Sequence, residues 1–269
     1  MRGFFLPELN VGFLVTHRSG SRLILNTLKY FFDSINKKYE YIDYHEVISY
    51  ANKLNKSKFY IITRHPIKRF ISGFTWILKN KKEYNNYIKD FKLETINDYV
   101  SNYYEIMNKK PNAHFLPQTY GILSLEDSFT LNEFENLNFR RRFDNLYYDY
   151  KIIHLEDIDQ MVMDDMKYSN ATVLEKSNGL LTKVNASALK IFDIFHDNEK
   201  SFTFSTTYLF FKKYLQEFHN ANTPILLEST DYQFLMDFFY NEILFYGYNN
   251  FDLSKEVLRP NIINLKNFL

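Results

Sequence analysis

Val11-Gly12-Phe13-Leu14-Val15-Thr16-His17-Arg18-Ser19-Gly20-Ser21-Arg22 begins as the apolar run VGFLVT and ends on a short polar loop. The run has the length and composition of a buried strand. From Leu23 to Phe32 the apolar residues recur at helical spacing. The unit therefore reads strand, tight loop, helix. Working outward, the same pattern returns at Phe59–Thr63 (FYIIT), where Pro66 follows and opens a helix running to about Asn80. Tyr39–Tyr44 and Tyr150–Leu155 are two more strands, and Tyr208–Phe218 and Asp231–Phe245 are the clearest late helices. Strands alternating with helices predict an α/β fold, a central parallel sheet of four or five strands flanked by helices. No repeat or Pro/Gly/Ser-rich linker divides the chain, so a single domain over residues 1–269 is expected.

Composition narrows the chemistry. Cysteine is absent, which excludes disulfides, zinc–thiolate sites, iron–sulfur clusters and cysteine catalysis. Thirty-three basic residues balance 32 acidic ones, so a polycation that coats nucleic acid is not expected. The run Arg140-Arg141-Arg142 reads as solvated charge, with an acidic-glycan groove as the alternative. Aromatic residues reach 19%, which we read as a codon-composition effect. The N-terminal stretch MRGFFLPE is a short apolar patch cut by Pro7 and Glu8, without the features of an export signal. With no run of 18 apolar residues, a soluble cytoplasmic protein without a transmembrane segment is expected.

In open α/β sheets ligands bind beyond the carboxyl ends of the strands. The loop Arg18-Ser19-Gly20-Ser21 stands at such an end and opens a helix. Its backbone N–H groups suit an anion, Gly20 allows close approach, Ser19 and Ser21 add hydroxyls, and Arg18 and Arg22 add charge. A helix capped by serine is the structural alternative. The lysine and second glycine of a Walker A loop are missing, which disfavours an ordinary P-loop kinase. After the third strand comes Arg64-His65-Pro66-Ile67-Lys68-Arg69-Phe70-Ile71-Ser72-Gly73-Phe74, with Ser72 eight positions beyond Arg64. A guanidinium fork suits phosphate oxygens, and a serine two turns into the helix could complete the contact. Lys68 reads as a solvated helix charge, and Arg69 has the same structural alternative.

Together these two loops resemble the nucleotide-binding elements of sulfotransferases that use PAPS, 3′-phosphoadenosine 5′-phosphosulfate. Arg18-Ser19-Gly20-Ser21 is similar to the family's phosphosulfate loop, K/R-x-G-T/S. The Arg64…Ser72 stretch is similar to its 3′-phosphate element, R-x-P-x-x-R-[FL]-x-S-[GA]-[FY]. Three further stretches resemble the carbohydrate branch: His114-Phe115-Leu116-Pro117-Gln118, Tyr148-Asp149-Tyr150 leading to Leu155-Glu156-Asp157, and Phe239–Tyr248 with Glu242 at an acidic position. The chain departs from the pattern in having His17 for a common proline and Arg22 for a common hydroxyl residue or asparagine.

The resemblance implies a P-loop-like sulfotransferase fold and transfer of a sulfuryl group from PAPS to a carbohydrate hydroxyl, with no metal. It implies that Arg18 neutralises the leaving phosphate while Ser19, Gly20, Ser21 and Arg22 hold the phosphosulfate. Arg64 and Ser72 hold the 3′-phosphate, and His114 and Gln118 meet the substrate. Lys183 and Lys200 are candidates for the late basic contact. The expected base is His45, after the second strand, with Glu46 as runner-up; His154 reads as packing. A catalytically silent anion- or glycan-binding relative and a tyrosyl-peptide acceptor remain open.

Overall fold

The computed structural model describes residues 2–43, 57–93, 95–110, 112, 114–123, 149–176, 192, 198–219, 227–251 and 253. Among these the elements follow in the order β1 (Arg2–Leu6), β2 (Val11–Val15), α1 (Ser21–Ser34), β3 (Glu40–Asp43), β4 (Lys58–Thr63), α2 (Pro66–Lys79), α3 (Ile96–Ser101), α4 (Tyr103–Lys109), α5 (Gln118–Leu123), β5 (Asp149–His154), α6 (Leu155–Lys176), α7 (Asn198–His219), α8 (Ser229–Phe238) and α9 (Tyr240–Phe245). They form two compact units, one from residues 1–64 and 147–221, the other from 65–146 and 222–269.

The first unit holds a five-stranded sheet in the order β3-β1-β2-β4-β5. β2 pairs in parallel with β4, and β4 with β5. The sheet is not wholly parallel, however, because β1 runs antiparallel to both β2 and β3. The reason lies in the stretch read as an interrupted apolar patch. Pro7 and Glu8 are the turn that reverses the chain, closed by Leu9 N–H donating to the Leu6 carbonyl at 3.2 Å and Asn10 N–H to that of Pro7 at 3.2 Å. Asn10 takes the left-handed conformation that asparagine tolerates (φ 54°). Gly3–Phe5 then pair with Phe5's and Gly3's opposites on β2, from Leu14 to Gly12. This hairpin moves β3 one place outward. β3 still points the same way as β2, and its last residue, Asp43, lies opposite Arg2, which in turn lies opposite Val15.

One face of this sheet carries Phe4, Leu6, Phe13, Val15, Tyr60, Ile62 and Ile153, packed against Ile24, Leu28, Phe31 and Phe32 of α1, Ile158 and Val162 of α6, and Phe204 and Tyr208 of α7. The period of two in the strands and of three to four in α1 follows the sequence pattern.

The second unit packs α2 through Ile67, Phe70, Phe74 and Ile77. Phe70 and Phe74 meet the rings of Tyr99, Tyr103 and Phe115 edge-on or tilted, and Tyr103 meets Phe238 with ring centres 5.0 Å apart. A buried carboxylate ties its sequence-distant pieces together. Glu242 of α9, fully buried, accepts from the backbone N–H of Thr119 at 3.0 Å and from its hydroxyl at 3.2 Å through Oε1. The Tyr246 hydroxyl bonds Thr119 Oγ1 at 2.9 Å. Burial raises the Glu242 carboxyl above its ordinary range, against the opposing pull of Arg69 and the Thr119 donors. No described helix is long and apolar enough to cross a membrane.

Two predictions follow from the carboxylates of this unit. Glu242→Ala leaves the Thr119 donors buried without their acceptor and is expected to cost about 2–4 kcal/mol, whereas Glu242→Gln keeps an oxygen for them and costs much less. Urea titration at neutral pH distinguishes the two variants, and equal losses would contradict the role given to Oε1. Asp231 of α8 is raised to about 6 by burial first and then by the Glu228 and Asp98 carboxylates. The native chain thus holds this proton more tightly than the unfolded chain does. Its contribution to stability is present below the unfolded value and is lost as pH rises through about 6. Asp231→Asn is therefore expected to raise the melting temperature at pH 7.5 and to have no such benefit at pH 4.

Candidate functional site

Because β2 and β4 are parallel neighbours, their carboxyl ends lie side by side, with Val15 opposite Ile62. The ladder extends one step into the loop: Thr16 N–H donates to the Ile62 carbonyl at 3.3 Å. Thr16 then anchors the turn. Its carbonyl accepts from Ser19 N–H at 3.2 Å, and its hydroxyl lies 2.5 Å from that of Ser19. Arg18 sits within this turn at φ 63°, an angle most side chains avoid. A non-glycine residue there stores about 1–3 kcal/mol of strain, a feature that clusters at ligand sites.

Gly20 caps α1 at φ 73° and ψ 26°. The cap has no side chain to answer the first-turn N–H groups, so the positive end of the helix is left to backbone donors. A Cβ on Gly20 would also stand 2.9 Å from a methyl of Leu155, the first residue of α6. The glycine thus serves both the angle and the close approach of β5's exit.

The structure sorts the expected ligands of the first loop. Ser19 is fully buried, and its hydroxyl belongs to the loop's own framework. Ser21 is half-buried at the first position of α1, and the Arg22 side chain is exposed. Arg18 is half-buried. Arg64, also half-buried, follows β4 at the same edge, and its Nη1 donates to the Arg18 carbonyl at 3.4 Å. The two arginines expected to share one anionic ligand are therefore brought together by the first unit.

Ser72 lies half-buried on the second turn of α2, in the second unit. That helix is capped by His65, whose Nδ1 accepts from Ile67 N–H at 3.3 Å and whose ring meets Tyr248. Arg69 is not a solvated charge: it is buried, and its Nη1 donates to the His114 carbonyl at 3.3 Å. His114 is half-buried against Trp76, with ring centres 4.2 Å apart, and Gln118 is buried at the start of α5. The stretches 65–74, 114–119 and 239–248, far apart in sequence, lie in the second unit, where Arg69 ties the first to the second and Thr119 ties the second to Glu242 of the third. His45, Glu46, Arg140–Arg142 and Lys183 lie outside the described residues, and Lys200 lies on α7.

Two groups of the first unit make contacts that sequence reasoning did not give them. Asp159 of α6 accepts from the Tyr208 hydroxyl at 2.7 Å and from Lys212 Nζ at 2.6 Å. Burial and then the Asp159 carboxylate push the Tyr208 phenol upward, while Arg64 pulls it down, so Arg64 is within electrostatic reach of this cluster. The other is His154, whose Nδ1 lies 3.0 Å from Asp157 Oδ2 rather than packing in the core.

Comparison of the chain with protein-family models, with curated proteins and with solved structures finds no significant match.

Gly20→Ala is expected to destabilise the protein by about 1–3 kcal/mol, because the left-handed angle and the Leu155 contact both oppose a methyl. Gly20→Asn, which tolerates the angle, should fall between alanine and wild type. Unfolding in urea reads both, and a neutral Gly20→Ala would contradict this geometry.

Proposed function

We propose that the protein is a PAPS-dependent O-sulfotransferase acting on a carbohydrate hydroxyl. The observation that carries this reading is the contact between the two carboxyl-edge loops: a strained Arg18 beside a glycine-capped helix start, with Arg64 against the Arg18 carbonyl. Two guanidinium groups and a row of helix N–H donors at one strand edge fit a ligand with more than one phosphate-like group. The resemblance of Arg18–Ser21 and Arg64–Ser72 to the two PAPS elements supplies the identity of that ligand and the P-loop-like sulfotransferase fold.

In this mechanism the acceptor oxygen attacks sulfur in line as the bond from sulfur to the bridging phosphate oxygen breaks. The protein's task is to position the groups and neutralise developing charge. Arg18 balances the charge on the departing oxygen. The backbone N–H groups from Gly20 to Arg22 and the Ser21 hydroxyl hold the phosphosulfate, with the Ser19 hydroxyl holding the loop in shape. The resemblance assigns the 3′-phosphate to Arg64 and Ser72 and the acceptor to His114 and Gln118. The sequence reading names His45 for the acceptor proton, with Glu46 as runner-up. The chemistry requires no metal.

Calorimetry tests the ligand. The desulfated product PAP is expected to bind much more tightly than AMP, and Arg64→Ala should remove about 2–4 kcal/mol of that preference. Equal affinity of the wild type for PAP and AMP would refute the assignment. Transfer of labelled sulfate from PAPS to a glycan panel then identifies the acceptor, and PAP binding without transfer to any hydroxyl would leave a silent anion-binding relative.

A further inference from the structure

The pleat of the sheet places a polar row at its carboxyl edge. Leu14, Ile61 and Ile152 are register partners across β2, β4 and β5, and all three lie on the face opposite Val15, Ile62 and Ile153. Two residues further on, the same face presents Thr63 opposite His154, with Thr16 next to Thr63 by the register of Val15 with Ile62. Apolar side chains thus give way to two hydroxyls and an imidazole where the strands end. Thr16 is the anchor of the Arg18 turn, and Thr63 immediately precedes Arg64. Leu155, the residue after His154, forms the wall against Gly20. His154 is therefore joined on both sides to the loops that carry the two arginines.

The imidazole is also held. Asp157, three residues on in the first turn of α6, places Oδ2 3.0 Å from Nδ1, with His154 at 17% and Asp157 at 45% side-chain exposure. A carboxylate at Nδ1 selects the tautomer with the proton on that nitrogen, which puts the basic lone pair on Nε2. This is the arrangement that lets histidine act as a proton acceptor in catalysis.

We propose that His154, oriented by Asp157, accepts the proton of the attacking hydroxyl. This inference rests on the sulfuryl-transfer reading and assigns to His154 the step that sequence alone gave to His45. As the acceptor oxygen forms its bond to sulfur, its O–H bond breaks and the proton passes to Nε2. The electron pair of the breaking sulfur–oxygen bond leaves with the bridging oxygen on PAP. The imidazolium, steadied by Asp157, then returns its proton to water. His154 is the catalytic residue here and Asp157 the positioning residue.

The test combines ring spectroscopy with kinetics. In protein labelled with 15N-histidine, the His154 ring is expected as the Nδ1–H tautomer, to move toward the commoner Nε2–H form in Asp157→Asn, and to shift when PAP is added. His154→Gln should lower kcat by about 10²–10⁴-fold with PAP affinity within about twofold of wild type. Asp157→Asn should lower kcat less, and Asp157→Glu should restore much of it. A His154 ring unmoved by saturating PAP, or a fully active His154→Gln enzyme that still binds PAP, overturns the proposal and leaves the transfer reading standing. A wild type that binds no PAP overturns the transfer reading itself, and this assignment with it.

Discussion

The parallel pairing of β2 with β4 is the constraint from which the site descends. Parallel strands start at one edge and finish at the other, so their following loops must emerge together. The hydrogen bond from Thr16 to the Ile62 carbonyl carries that pairing one residue past β2 and fixes where the first loop begins. The Arg18 turn, the glycine cap of α1 and the contact from Arg64 are all measured from that point. Shifting the register by one residue would send the Val15 and Ile62 row to the other face and separate the two arginines.

The second unit solves a different problem. Its described core mixes rings with aliphatic side chains, and such apolar groups alone pack in many near-equivalent ways. Glu242 reduces that freedom. A fully buried carboxyl with backbone and hydroxyl donors from Thr119 admits few alternatives, since losing a donor leaves a buried polar group unpaired. Arg69 plays the matching part at the His114 carbonyl. Both residues belong to stretches that resemble sulfotransferase motifs, and in this chain both hold the frame together.

Much of the first unit was legible from local pattern. β2, α1, β4 and β5, and α2 of the second unit, begin and end within a residue or two of where periodicity and Pro66 place them. β1 was hidden because Pro7 and Glu8 look like an interruption until they are seen as a turn. The inward Ser19 hydroxyl was hidden because its partner, Thr16, looked like the last residue of a strand. The reading of Arg69 stayed open because the His114 carbonyl that receives it lies 45 positions away. Asp159 and Lys212 are separated by 53 positions, and nothing local joins them. The Asp157–His154 spacing was visible in the sequence, but its meaning depended on β5 ending beside Thr63.

Four described residues other than glycine occupy the left-handed region, and Arg18 differs from the rest. Asn10 and Asn36 are of the type that accepts such angles most readily, and Lys92 is exposed. At position 18 a glycine would relieve the strain of that angle, less the roughly 0.4–1 kcal/mol that its freer unfolded chain costs, and would make the more stable loop. Selection for folding alone would drift toward that glycine. Under the proposed function the arginine is a destabilising residue tolerated for its charge, and variants screened only for heat resistance are expected to lose it first.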